Sequence, residues 1–403
     1  MRLVMTLKVR DEADIIEDNL RFHRAMGVDF FVVTDNASVD GTTEILERYE
    51  AAGLAHVIHE PTSGLWMNEV DWMTRMARLA ASEHGADWVF NNDADEFWWP
   101  LTGTIKEALE TIPPEYGAVV APRAEYVPRP DGPGSFAERL TVREARSNLQ
   151  PKVAHRGDPD VVALSNTHEV ASAGGGDLAY ALRPPGRVVH RGVRDSEADA
   201  EEGDGGGLEE LRLVWAPAHP LRIFHFPLRS YGQFVKRTEI FLRHGGFRDT
   251  GRFRRLRIAY EQDRLDEIYA GLVWDDAAIE DGIRQGKLVR DDRLAKLLPR
   301  CRDPLEGAPA GSVSVELEAD ALAAERDEVE LDTMRLMTRT QRFTMLQLDK
   351  ARVRIDELAE ANKELRSTLG RTLGRRLLKY VRRRRRRAKG VERAADGQPV
   401  TTE

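Results

Sequence analysis

The sequence predicts an α/β chain, with a mostly parallel sheet carrying helices on both faces, followed by a C-terminal coiled coil and a basic tail. Three observations predict it. Residues 1–122 alternate short apolar β runs with helical segments, the pattern of a parallel sheet covered by its own crossover helices. Apolar heptads run through 334–369. The charge is also split: residues 371–403 hold twelve Lys or Arg against three Asp or Glu, making this segment +9, so the preceding 370 residues carry −17 of the net −8.

Taken in order, 3–9 (LVMTLKV) reads as a buried strand. Residues 13–26 place Ile15, Ile16, Leu20, His23 and Met26 at helical spacing and stop at Gly27, a residue suited to the left-handed position after a helix. A second strand follows at 30–34 (FFVVT) and a second helix at 41–52, closed by Gly53. Residues 55–58 form a third strand, 67–83 a longer helix, and 88–90 a fourth strand that runs into NNDADEFWWP. Ligands of open α/β sheets sit beyond the carboxyl ends of the strands. Those ends carry Arg10, Asp11 and Glu12, then Asp35 and Asn36, then Glu60, then Asp93 and Asp95, so acidic groups converge on one edge.

Residues 123–305 are less regular. They contain a flexible, acidic and glycine-rich insertion at 195–207 (DSEADAEEGDGGG). Two polar islands flank it: SNTHEV at 165–170, and 221–247, where 221–226 reads as a strand bearing His225 and Ser230 caps a helix to about 243. One more short helix is expected at 256–270. The first domain is therefore placed at 1–305, with a nucleotide-binding half at 1–122 and an acceptor half at 123–305. A coiled coil follows at 312–370. Its seam joins Met334, Gln341, Leu348, Ile355, Asn362 and Leu369 to Met337, Thr344, Ala351, Leu358 and Leu365. A lone Asn among aliphatic positions fixes the register of a two-stranded coil, so a homodimer is expected, the alternative being one long amphipathic helix lying on the main domain.

Cys301 is the only cysteine, which rules out a disulfide framework within one chain and fits a reducing compartment. The opening residues lack a signal-peptide core, and no run reaches the ~20 apolar residues of a membrane span. The expected location is the cytoplasm, peripheral to the inner face of the cell membrane. The tail at 371–403, largely disordered in this reading, joins LLKYV to six consecutive arginines, Arg382 to Arg387. Basic residues near an anionic bilayer contribute about 1 kcal/mol each. Nucleic acid is the rival partner, but no base-reading module is present and the body is acidic, so no specific nucleic-acid partner is expected.

Two carboxylates one residue apart, just past a strand, suit a hard divalent cation such as Mg²⁺ or Mn²⁺, which in turn holds a diphosphate. Alone, D-x-D is a weak motif. Together, MTLKVRDEADIIEDNLRFHRAMGVDFFVVTDNASVDGTTEILERY and WVFNNDADEFWWP resemble family 2-type glycosyltransferases of the GT-A fold, and more narrowly the branch with an extended D-x-D-E-F related to family 92. The resemblance covers 1–122 well and runs more loosely to about 250. It implies a nucleotide-sugar donor, with Glu12, Asp35, Asp40 and Asp93 on the nucleotide side. It also implies Asp93, Asp95 and His225 near the metal. Asp11 stands where the family usually has Asn.

Metal-assisted sugar transfer then needs a base for the acceptor hydroxyl, and the candidates are Glu169 and His168, with Asp95 or Glu96 behind them. Lys152, Arg222 and Lys236 are either phosphate partners or solvated surface. Phe97 reads as core, while Trp98 or Trp99 could carry a sugar ring. The implied function is a metal-dependent, inverting transferase acting on a glycan or lipid-linked acceptor in cell-surface polysaccharide or glycolipid synthesis. One rival is a catalytically inactive GT-A-fold dimeric scaffold on anionic membranes. A nucleotidyltransferase is disfavoured, since RDEADII offers acid where a basic phosphate loop is wanted.

Overall fold

The computed structural model describes residues 1–60, 69–114, 116–164, 169–172, 180–181, 220–243, 251–332 and 335. The chain divides into two compact units, Met1–Met337 and Thr338–Glu403. The heptads, the basic tail and the insertion at 195–207 lie outside the described residues.

In the first unit the order is β1 (Leu3–Val9), α1 (Ile16–Ala25), β2 (Phe30–Asp35), α2 (Thr42–Ala51), β3 (Ala55–His59), α3 (Glu69–Ser82), β4 (Trp88–Asp93), β5 (Glu96–Pro100) and α4 (Ile105–Glu110). Then come β6 (Ala118–Glu125), α5 (Phe136–Arg139), β7 (Val142–Glu144), β8 (Asn148–Arg156), β9 (Val161–Leu164), β10 (Glu169–Ser172), β11 (Tyr180–Ala181) and β12 (Leu221–His225). The described helices that follow are α6 (Tyr231–Arg243), α7 (Gly251–Glu261), α8 (Leu265–Ala270), α9 (Asp276–Arg284) and, after β13 (Leu288–Arg290), α10 (Arg293–Leu297). A further helix spans 319–332.

The main sheet runs β3-β2-β1-β4-β8-β6-β12-β5, with β11 beside β6. Strands β1 to β4 are parallel, β8 lies antiparallel between β4 and β6, and β12 lies parallel to β6 and antiparallel to β5. Both faces are covered. Leu3, Met5, Leu7 and Val9 pack with Ile16, Leu20 and Leu46, whereas Val4 packs with Met73, Met76 and Ala80 of α3. A strand buried on both faces shows a continuous apolar run rather than alternation, which is why β1 and β2 are so plain in the sequence. No described helix is long and apolar enough to cross a membrane.

Three local expectations change. The first helix opens at Ile16 rather than residue 13, because the amides of Ile15 and Ile16 both donate to the Glu12 carbonyl (3.0 and 2.9 Å) and tie 12–15 into a turn. The helix expected at 256–270 is two, α7 and α8, broken at Asp263, which adopts a positive φ of 54°. Residues from 312 onward do not leave the core at once. Val313 and Val315 are buried, Val315 bridges Gly103, and helix 319–332 docks on the main unit.

That docking is made by charge. Arg222, fully buried on β12, places Nη1 2.6 Å from Glu325 and Nη2 3.0 Å from Glu328. Arg143 holds Glu328 through two nitrogens at 2.7 and 2.9 Å, and Arg293 reaches Glu325 at 3.1 Å. Asp332 lies 3.6 Å from Arg222 and accepts the Ser147 amide at 3.2 Å. Residues 325, 328 and 332 share one helical face, so a single acidic stripe meets three arginines. Arg222, read as a phosphate partner or solvated surface, is neither.

Candidate functional site

The sheet topology builds the site. β4 ends at Asp93, Ala94 and Asp95 make the turn, and β5 starts at Glu96. Because β12 lies between β5 and β6, His225 stands in register with Glu96 on one side and Glu125 on the other. Lys8, near the end of β1, stands in register with Asp93. Residues far apart in sequence thereby meet at the carboxyl edge of the parallel strands.

The turn rests on a buried polar support. Asn19 of α1 donates from Nδ2 to the carbonyls of Ala94 and Glu96, both at 2.8 Å. Its own oxygen accepts from Nδ1 of His23 at 2.9 Å, and Nε2 of His23 accepts the Trp98 amide at 3.0 Å. Accepting at Nε2 and donating at Nδ1 requires the neutral ring. Burial pushes the His23 imidazole down to about 3, and the buried His155 down to about 4, from the usual 6.5. The unfolded chain therefore binds these protons first as pH falls. The stability tied to the neutral rings is intact above about pH 6.5 and drains away toward the folded values. Proton NMR is expected to show neither ring titrating between pH 8 and 5; a midpoint near 6.5 for either would contradict this placement.

His225 Nδ1 lies 2.5 Å from Glu125 Oε2, and its Nε2 lies 3.5 Å from Asp95 Oδ2. Burial alone would lower the imidazole, but the Asp95 and Glu125 carboxylates raise it to about 9. For Asp95, burial would raise the carboxyl, and the facing His225, Arg237 and Arg229 hold it far below the usual range. Arg229, 1% exposed, binds Glu12 at 2.5 Å and Asp14 at 2.8 Å, and stands 4.0 Å from Asp95. Arg237 of α6 comes within 3.9 Å of Asp95. Lys152 of β8 contacts Asp93 at 2.6 Å and Glu96 at 3.1 Å. Lys152 and Lys8 pull the Asp93 carboxyl, which burial would raise, down to about 2.

The remaining expected residues fall as follows. Asp35, 2% exposed, accepts from the Ser38 hydroxyl at one oxygen and the Thr43 hydroxyl at the other, both at 2.6 Å. Asp40 accepts the Thr42 hydroxyl at 2.6 Å and the Ala13 amide at 3.2 Å, with Lys236 Nζ at 3.7 Å. Asp35 thus braces the loop between β2 and α2 from within, and Asp40 ties that loop to the one after β1. Glu169 opens β10, its side chain lying outside the described residues, as does His168 entirely.

Two readings are corrected. Lys152 is 1% exposed, not solvated surface. Trp98 and Trp99, weighed as sugar platforms, are 0% and 2% exposed. Trp98 donates its indole N–H to Asn92 at 3.1 Å, and Trp99 stacks on Phe224 at 4.7 Å. Phe97 is core, as expected. Glu125, Arg123 and Arg229 were not singled out. The only trace of them in the sequence is position, at a strand end and inside the 221–247 island.

Among the described residues, no group of three or more His, Cys, Asp and Glu side chains is arranged to hold a metal ion. The pair Asp95 and His225 nevertheless suits one. Two ligands at ~2.1 Å and a right angle around an octahedral cation are roughly 3 Å apart, close to the 3.5 Å between Oδ2 and Nε2. Glu125 on Nδ1 orients the ring with Nε2 toward that position, the usual carboxylate–histidine arrangement behind a metal.

Residues 6–173 match the family model described as Glycosyltransferase family 92. No curated protein matches the chain. Among solved structures, the chain is similar to S. aureus TarS 1–349 in complex with UDP, at 17% identity over 39% of this chain and 47% of that one, with a TM-score of 0.26. It is also similar to glucosyl-3-phosphoglycerate synthase from Mycobacterium tuberculosis in complex with Mn²⁺, UDP and glucosyl-3-phosphoglycerate. There the identity is 18% over 30% of this chain and 44% of that one, with a TM-score of 0.22. The chain spans less than half the length of either solved chain.

Proposed function

We propose that this chain, whose residues 6–173 match the glycosyltransferase family 92 model, moves a sugar from a nucleotide-sugar donor to a hydroxyl of a glycan or lipid-linked acceptor, on a fold of the GT-A type. The observation that carries the reading is the meeting of Asp95, in the D-x-D turn, with His225, 130 residues further on, at the carboxyl edge of parallel strands. That is where open α/β sheets place ligands.

In this reading Asp95 and His225 Nε2 hold a divalent cation, Mn²⁺ or Mg²⁺, with Glu125 orienting the imidazole. A cation bound there supplies Lewis-acid neutralisation of the leaving diphosphate. Arg237 and Lys236, on the exposed face of α6, are placed to meet phosphate oxygens, while Glu12, Asp35, Asp40 and Asp93 shape the donor side. The acceptor hydroxyl loses its proton to Glu169 or His168 as its oxygen attacks the anomeric carbon. The nucleoside diphosphate departs from the opposite face, with inversion. The direct test is donor turnover that needs Asp95.

The same proposal places the enzyme at an anionic membrane surface through 371–403, with the heptads joining two copies. Full-length protein is expected to sediment with anionic liposomes and to lose that binding when 371–403 is removed; equal binding by the shortened chain would refute the tail's role.

A further inference from the structure

The acidic turn is already half neutralised from within. Lys152 enters from β8 beneath the turn, is 1% exposed, and sets its ammonium 2.6 Å from Asp93 Oδ2 and 3.1 Å from Glu96 Oε2. The other oxygen of Glu96 takes Arg123 at 3.2 Å, and the Asp93 amide donates to Glu96 Oε2 at 3.3 Å. Both carboxylates flanking Asp95 therefore have a close protein cation. Asp95 is held at longer range, its Oδ2 facing His225, Arg237 and Arg229 at 3.5, 3.9 and 4.0 Å.

We infer that Lys152 is a positioning residue, a built-in cation that occupies Asp93 and Glu96 and so confines divalent-cation binding at this turn to Asp95 and His225. The inference rests on the reading that the turn takes a divalent cation. A metal ion drawn to Asp93 would sit against the buried ammonium and be repelled by it, in surroundings where charge is poorly screened. With Lys152 in place, the D-x-D pair works as one ligand and one internally paired anion. Without it, the turn would offer Asp93 beside Asp95, with Glu96 still held by Arg123.

The experiment measures Mn²⁺ binding alone, by the electron paramagnetic resonance signal of free Mn²⁺, on the full chain and three variants. Lys152→Met is expected to bind Mn²⁺ on the order of tenfold tighter, because Asp93 is released as a further anionic ligand, and Lys152→Arg to keep the wild-type affinity. Asp93→Asn, which leaves Lys152 on Glu96, is expected to stay within about twofold of wild type. A lysine that only supported the fold would lower the melting temperature on removal without tightening Mn²⁺. Equal or weaker binding by Lys152→Met overturns the inference and leaves the cation reading standing. If Lys152→Met does not fold, a tenfold loss in Asp93→Asn overturns it equally. Binding by Lys152→Met but not by wild type would support the lysine's role and sink the wild-type cation site, and binding by neither would sink both.

Discussion

Asp95→Asn is expected to slow sugar transfer about a thousandfold while leaving the protein folded. The size follows from its place. In the proposed reaction Asp95 is the carboxylate of the turn that faces His225, across 3.5 Å. Replacing the carboxylate by an amide removes the anionic ligand for the ion that neutralises the leaving diphosphate. Metal assistance of this type is worth several kcal/mol, and about 4 kcal/mol corresponds to about a thousandfold in rate. The charge of Asp95 contributes to stability, since its carboxyl is held far below the usual range, but its neighbours keep other partners. His225 keeps Glu125 at 2.5 Å, and Arg229 keeps Glu12 and Asp14 at 2.5 and 2.8 Å. Turnover and melting temperature measured together check both halves. A variant that loses less than tenfold in rate would remove Asp95 from the chemistry.

Arg222→Met is expected to cost about 3–5 kcal/mol of stability, the range for stripping one partner from a buried ion pair. Arg222 is fully buried and serves Glu325, Glu328 and Asp332 together. Asp332 is itself only 3% exposed, so its charge cannot simply turn to water. Arg143 and Arg293 still hold Glu328 and Glu325, which limits the damage to the helix end nearest Asp332. Urea unfolding with an unchanged slope would measure the loss. A change below about 1 kcal/mol would mean that the acidic stripe is held mainly by its other arginines.

The sequence spoke clearly where structure is local. Strands β1 to β4 and helices α1 to α3 lie within a few residues of their expected places, because a strand buried on both faces shows a run of apolar residues and each helix shows its own period. Ser230 caps α6 as expected, accepting the Gln233 amide at 3.1 Å. What stayed hidden depends on pairing between distant segments. Nothing near Glu125 announces that β12 will insert beside it and bring His225 into register. Lys152 looks like any surface lysine until β8 is threaded between β4 and β6. Trp98 and Trp99 follow an acidic turn, which suggests an exposed platform, yet β5 is covered on both faces. The helix at 319–332 carries acid on its docking face, and buried charge satisfied by distant arginines leaves no apolar stripe to read.

The most direct test of the account is release of nucleoside diphosphate by the full-length chain from UDP-, GDP-, CDP- and dTDP-sugars, with and without Mn²⁺, beside Asp95→Asn. The account predicts that one donor class turns over, that Mn²⁺ raises the rate, and that Asp95→Asn lowers it about a thousandfold. Release from no donor, or release unaffected by Asp95→Asn, would contradict it.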